Sequence, residues 1–403
     1  MPTSRESHAV LLGRRGFLRA LAAGGAGLLA ACQPPAAAPR PASAPAAGAA
    51  APPTTAGAAG SDWEARWQAL VAAAQQEGHL VIHGPPTPET RQRVPEAFTA
   101  RFGIPVEYNA LRTSELAARM VTEKQAGLVT IDAMLTGLTS YADILYPNGM
   151  LADLRPELIL PEVTDPNVWM LDPADLFLDP EHMKLLRLLY TATSAVVVNR
   201  DYADPTHIKT SQDLLRPEFK GKISVEDPTV PGSGANVAAY YLLQHGEDFV
   251  RKLYGEQAVV TRDNRQRADW LVRGTQPLAL SMNAAELDKA LKDGFPLEVI
   301  RTLPDSPGTT GSAFGVVGLV EGAPHPSAAR VFVNWIASRE GVEVFTRSER
   351  TPGTRKDLDY RQWVPEHSIP VPGANYLDTY NWEYKAKQQP AAAEKLKEIL
   401  AGR

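Results

Sequence analysis

Apolar residues recur every three to four positions in SDWEARWQALVAAAQQEG, residues 61–78. Trp63, Trp67, Leu70, Val71 and Ala74 then share one helical face, Ser61 and Glu64 fit a capping box, and Gly78 stops the helix. HLVIH, 79–83, is a short apolar run and predicts a strand. Thr87-Pro88 open a second helix with proline at its first position; Val94, Ala97, Phe98 and Phe102 are its stripe and Gly103 its end. IPVEYNA predicts a strand, RTSELAARMVTEKQAG a helix capped by Thr113 or Ser114, and IDAMLTG a further strand.

The same alternation continues. TATSAVVVN predicts a strand that crosses between two lobes, and GKISVED a second strand. GSGANVAAYYLLQHG begins as a Gly-Ser-Gly turn and becomes a helix. AVVT, QPLALSM, LEVIRT and GSAFGVVGLV read as strands; DNRQRADWLVRG, NAAELDKALKDG, SAARVFVNWIAS and EGVEVFTRS read as helices. DLDYRQWVPEHSIPVPGANYLDTYNWEYK is loop-rich and aromatic and reads as a packing flap.

Strands alternating with helices through short loops predict parallel sheets with right-handed crossovers. In such sheets ligands bind beyond the carboxyl ends of the strands. Here those ends are His83-Gly84-Pro85, Leu111-Arg112-Thr113 and Gly137 with its neighbours Thr136, Thr139 and Ser140.

The N-terminal pattern is different. Arg14-Arg15-Gly16-Phe17-Leu18-Arg19 is followed by an apolar run, Ala20–Ala31, shorter than the roughly 20 residues a membrane span needs. Basic, apolar and small-residue segments in that order are an export signal. The arginine pair resembles the twin-arginine type, and Leu29-Ala30-Ala31-Cys32 resembles a bacterial lipobox, which implies cleavage before Cys32 and lipidation of its thiol. Cys32 is the only cysteine, so no internal disulfide forms, and a lipidated thiol is no nucleophile or metal ligand. Residues 32–60 are then the lipidated cysteine and an Ala/Pro-rich tether with no large apolar side chain to bury.

Charge narrows the partners. The chain is formally −5, and the segment 1–31 holds four arginines against one glutamate, so the body is more acidic still. An acidic body without a basic run argues against nucleic acid and against electrostatic adhesion to an anionic membrane. No zinc spacing, G-x-S-x-G elbow, P-loop lysine or cofactor motif occurs, and no carboxylates form a recognisable acid/base pair. A non-enzymatic protein without cofactor is expected.

Several stretches in order resemble the extracellular solute-binding proteins of bacterial ABC importers, in the branch of the ferric-ion-binding proteins: HLVIHGPPTPETRQRVPEAFTARFGIPVEYN, SELAARMVTEKQAGLVTIDAML, GMLADLRPE, FKGKISVEDP, RADWLVRGTQPLALSMN and HPSAARVFVNWIASREGVEVF. The resemblance implies a type II periplasmic-binding-protein-like α/β fold. Residues 61–170 and 306–403 would form one lobe and 171–305 the other, with a solute cleft between them that closes by a hinge. It implies a monomeric receptor that hands a small solute to an ABC permease. A sensor subunit for a membrane signalling partner and a lipid-tethered enzyme on the same scaffold are the competing classes.

The iron ligands of that branch are not kept. Its tyrosine pair falls on Asn283-Ala284-Ala285-Glu286, its histidine on Pro86 and its acidic ligand near Gly137. Fe³⁺ prefers phenolate and carboxylate oxygens, which alanine lacks. Tyr240-Tyr241 lie inside a helix and read as packing. The candidate solute contacts are His83, Arg112, Thr136, Ser140, Ser233, Arg262, Arg265 and Asn283. A guanidinium clamps a carboxylate and the Ser233 helix start attracts anions. The expected solute is therefore an organic anion or zwitterion, with an iron chelate next.

Overall fold

The computed structural model describes residues 59–401 apart from Arg112, Pro231, Gly232, Pro307, Ala313 and Asn375. The side chains of residues 59–61, Ser114 and Ser233 are also outside the description, as are the export signal with Arg14 and Arg15, Cys32 and the tether up to residue 58.

In chain order the strands are β1 (Leu80–His83), β2 (Val106–Asn109), β3 (Ala133–Thr136), β4 (Leu185–Arg187), β5 (Thr191–Thr193), β6 (Val196–Asn199), β7 (Ile223–Glu226), β8 (Ala258–Thr261), β9 (Leu278–Leu280), β10 (Leu297–Ile300), β11 (Thr309–Gly311), β12 (Val316–Leu319) and β13 (Leu377–Asp378). The main helices are α1 (Ala59–Glu77), α2 (Pro88–Phe102), α3 (Thr113–Gln125), α4 (Ser233–Val250), α5 (Asn264–Arg273), α6 (Ala284–Lys292), α7 (Pro326–Ala337), α8 (Arg339–Glu349) and α9 (Gln389–Leu400). Helix α1 includes Ala59 and Gly60, ahead of the expected Ser61 cap. Helix α4 is interrupted at Gly246, whose φ of 80° is not helical.

The first sheet has the order β2-β1-β3-β12-β4. β1, β2 and β3 are parallel, as expected, but β12 enters antiparallel between β3 and β4. Both faces are covered, so its strands read as continuous apolar runs. Leu80, Ile82 and Leu135 face α2, α7 and α8, where Phe98, Phe332, Trp335 and Phe345 pack; Val81, Met134 and Leu185 face Leu116, Met120 and Tyr141. Each large buried side chain contributes roughly 1.5–3 kcal/mol.

The second sheet has the order β10-β6-β9-β7-β8, with β7 parallel to β8 and β9 and β6 antiparallel to β9 and β10. Val196 and Val198 pack with α4 on one face, and Val197 packs with Leu271 of α5 and Leu287 of α6 on the other. A small sheet, β13-β11-β5, lies between the two along the chain: β5 ends at Thr193 and β6 begins at Val196. TATSAVVVN therefore does cross, split between two sheets.

Two of the expected lobe boundaries move. β4 belongs to the first sheet, so the chain leaves the first lobe after about residue 190, not at 170. Helix α9 packs Ala392, Leu396, Ile399 and Leu400 into the core of the second sheet, so the chain end does not stay with the first lobe. Its apolar face completes the cover of α4, a contact that local sequence does not report.

Asp132 ties the first lobe together. It is fully buried and accepts from the Val81 amide (2.7 Å), the His325 amide (2.7 Å) and His325 Nδ1 (2.9 Å). Glu77, ending α1, receives the Ser327 and Ala328 amides at 3.0 and 2.8 Å and so caps α7. Asp132→Ala leaves these donors buried without an acceptor. We expect it to lower unfolding free energy by about 2–4 kcal/mol, read as a lower urea midpoint at unchanged slope.

Candidate functional site

The carboxyl ends of the first sheet hold a polar chain. His83, at the end of β1, is fully buried, and its Nε2 lies 3.0 Å from the Thr113 hydroxyl at the start of α3. Thr136, at the end of β3, donates to the same hydroxyl at 3.2 Å. The chain is satisfied when Thr113 in turn donates to a neutral His83 ring. Burial pushes the His83 pKa down to about 4. Ser140 lies half-buried one turn beyond Thr136. Arg112 precedes Thr113 and is outside the described residues.

The second sheet ends in a different set. Gly234, in the first turn of α4, sits so close to β7 that an added Cβ would stand 2.7 Å from the Glu226 carbonyl oxygen, and its amide donates to Glu226 Oε2 at 3.2 Å. The start of α4, where Ser233 lies, is thereby pressed onto the strand end. Arg262 is engaged by Asp227 at 2.9 Å. The Arg265 side chain is 91% exposed and 3.9 Å from Glu286. Asn283 caps α6, accepting from the Ala285 and Glu286 amides at 3.0 and 3.3 Å. Tyr241 is buried and accepts from Ser306 at 2.7 Å, in keeping with a packing role.

A cleft of about 440 Å³ joins the two halves. Asn283, Ala284, Ala285 and Asp288 line it from α6, and Glu349, Arg350, Thr351, Pro365 and Ser368 from the other side. The size suits a small molecule. The Glu349 carboxyl meets α2, where the Thr90 hydroxyl donates to it, and burial raises its pKa. Asp288 is held by Lys292 at 2.7 Å and lies 3.9 Å from Arg350. His367 stands beside Ser368 with a buried, unpartnered Nε2, and burial lowers its pKa. The cleft thus carries both signs of charge.

A larger surface pocket, about 510 Å³, includes Asp153, Glu157, Lys184, Glu321 and Arg330. It opens beyond Leu319, at the amino ends of the parallel strands, the end where such sheets do not bind ligands. Among the described residues no group of three or more His, Cys, Asp or Glu is placed to hold a metal.

Of the sequence candidates, the structure brings His83 and Thr136 together through Thr113 and puts Asn283 in the cleft. It gives Arg262 a local acid and leaves Arg265 in solvent. Asp288, Glu349 and Arg350 were missed; they sit within ordinary charged helix surfaces, and only the approach of α6 to the end of α8 joins them. Arg187 was missed too. It is fully buried at the end of β4, bonded to Asp378 at 2.7 Å and lying 4.7 and 4.8 Å from the rings of Tyr190 and Tyr380. A charged residue inside KLLRLLY was its signal.

His83 gives a pH test. Its pKa falls from 6.5 unfolded to about 4 folded, so its contribution to stability is complete above pH 6.5 and is lost as pH falls towards 4. The span corresponds to at most about 3 kcal/mol. The His83→Gln protein should therefore lose less Tm than the native protein between pH 7 and 4.5; parallel slopes would show that His83 protonates without cost.

The family model described as bacterial extracellular solute-binding protein matches residues 80–348. An uncharacterized protein of Haemophilus influenzae is 27% identical over 141 residues, 34% of this chain and 39% of that protein's length. Among solved structures, an extracellular solute-binding protein from Bordetella parapertussis aligns with a TM-score of 0.64 at 11% identity, over 81% of this chain and 99% of that one. Trichodesmium IdiA (FutA) in complex with iron and citrate gives 0.60 at 16%, over 81% and 100%. The periplasmic binding protein AfuA from Actinobacillus pleuropneumoniae, with fructose-6-phosphate bound, gives 0.53 at 18%, over 80% and 99%. These likenesses show the fold, two α/β lobes of the periplasmic-binding-protein kind. With more than half of its length matched by the family model, this chain belongs to the bacterial extracellular solute-binding proteins, a family of binding proteins and not of enzymes.

Proposed function

We propose that the protein is a lipid-anchored, extracytoplasmic receptor that delivers a small zwitterionic solute to an ABC permease. The observation that carries the solute class is the mixed charge of the interlobe cleft, where Arg350 faces Asp288 across α6 and Glu349 adds a second acid. A zwitterion offers a carboxylate to the guanidinium and a cation to the acids. An organic anion is the next choice and an iron chelate the third. Ala284 and Ala285 line the cleft where the ferric-binding branch keeps its tyrosines, which argues against bare iron. Asn283 is the leading contact; Ser233 and Arg112 are candidates for an anionic group, and His83, Thr136, Ser140, Arg262 and Arg265 are further candidates at the strand ends of the two lobes. Solute binding selects the closed arrangement of the lobes, and no bond is made or broken. The receptor acts as a monomer on its tether.

A ligand that binds only the folded state raises the melting temperature, by about 2.7 kcal/mol of added stability at a hundred times Kd. In a thermal-shift screen of the soluble body, amino acids and betaine-like zwitterions should raise Tm where ferric chloride does not. Arg350→Ala and Asp288→Ala should each weaken the active solute roughly tenfold. A shift with ferric ion alone would sink the zwitterion reading.

The anchor has its own test. Cys32→Ser should release the exported protein into the soluble extracytoplasmic fraction, and replacing both Arg14 and Arg15 by lysine should keep it in the cytoplasm. Continued membrane attachment of the Cys32→Ser protein would remove the lipid from the proposal.

A further inference from the structure

The family match stops at residue 348, yet the chain continues to 403. The continuation touches all three sheets. β13 pairs with β11, and the Leu377 and Thr379 amides donate to Gly308 and Thr310 at 2.9 Å each. Beside that pairing Asp378 holds Arg187 of the first sheet at 2.7 Å, and Tyr380 packs into the first lobe's core. Two residues later the Trp382 ring lies 4.9 Å from Tyr146.

From Trp382 to Leu400 the backbone is one helical run, with a wide π turn at Tyr384–Gln388. Its start stands on the first lobe and the rest on the second. The Tyr384 hydroxyl donates to the Asn236 carbonyl of α4 at 2.9 Å, and Gln389 Nε2 to the Asn236 side chain at 2.7 Å. Beyond them α9 buries its apolar face against α4, and Arg251 donates to the Ile399 carbonyl at 3.1 Å. A helix resists bending far more than a loop of equal length, so opening the lobes must work against this run, with the π turn as its weakest point.

We propose that this segment is a strut between the lobes that sets their resting angle and limits how far they open. The two lobes are otherwise joined along the chain by the β5 and β11 crossovers, which can twist. The strut adds a third, rigid connection on the same hinge. Opening requires the π turn to unwind or Trp382 and Asp378 to leave the first lobe. A protein so held samples few open states, and its binding-competent fraction is correspondingly larger.

The test is the interlobe distance without solute, so its outcome is independent of which solute the cleft takes. Cys32→Ser removes the only native thiol, and Arg93→Cys on α2 and Lys220→Cys on the second lobe take spin labels at exposed positions. Two variants disturb the strut in different ways. Trp382→Ala with Tyr384→Phe loosens its anchors. Insertion of Gly-Gly-Ser between Glu383 and Tyr384, after the last first-lobe anchor and before the first second-lobe one, keeps Asp378, Trp382, Tyr384 and α9 and breaks the rigid connection between them. In pulsed dipolar spectroscopy each should widen the distance distribution about twofold and shift it outwards. A distribution unchanged by the insertion would overturn the strut, even if the double variant failed to fold.

Discussion

One extended run of fifteen residues governs how the molecule is put together. Between Leu185 and Asn199 the chain contributes β4 to the first sheet, β5 to the small middle sheet and β6 to the second sheet. Each of these strands is bonded on its own sheet, so the backbone cannot slide from one lobe to the other without breaking ladders at both ends. Ser194 and Ala195 alone separate the middle sheet from the second lobe. The cleft follows from this. The short crossover keeps the two sheets close, and residues of α6 and the end of α8 line one cleft between them.

Buried charges hold the same junction. Arg187 stands at the end of this run's first strand with Asp378 as its partner and two tyrosine rings about its guanidinium. A lone buried cation would cost several kcal/mol, so the position is tenable only while the carboxylate is there. Its role is thus to select one location for the segment around β13. Arg267 does comparable work in the second lobe: buried, its pKa lowered by burial, it donates to the Leu280 carbonyl at the end of β9 and fixes the strand from which Asn283 follows.

Most of the sheets and helices were legible because their signals are local. Continuous apolar quartets such as LVIH and VVVN announce strands covered on both faces. Thr87-Pro88 and Gly103 bound α2 through proline's fixed φ and the left-handed conformation, here 73°, that glycine tolerates. What was not legible depends on distant partners. β13 is two residues long and exists because β11 offers it an edge. The antiparallel entry of β12 is set by which edge of β3 remains open. The apolar stripe of α9 says that it packs, but not on which lobe. Strand-end rules named His83, Thr136 and Asn283, of which Asn283 lines the cleft; Asp288, Glu349 and Arg350 come together only when residues about sixty apart in sequence meet.

The cleft's chemistry bears on why the fold and the ligand set can part company. The strand-end positions are dictated by sheet geometry, so Ala284 and Ala285 reach the cleft whatever their side chains are. Alanine at both positions offers no hard anionic oxygen and leaves α6 intact, because the helix is started by the Asn283 carboxamide, not by the residues after it. The opposing wall comes from the end of α8, where Arg350 adopts a left-handed backbone at φ 50° to close the helix. Such a conformation is costly for a residue with a Cβ, and glycine would serve the turn better. With arginine at that position a guanidinium stands at the cleft wall, at some cost in local backbone energy.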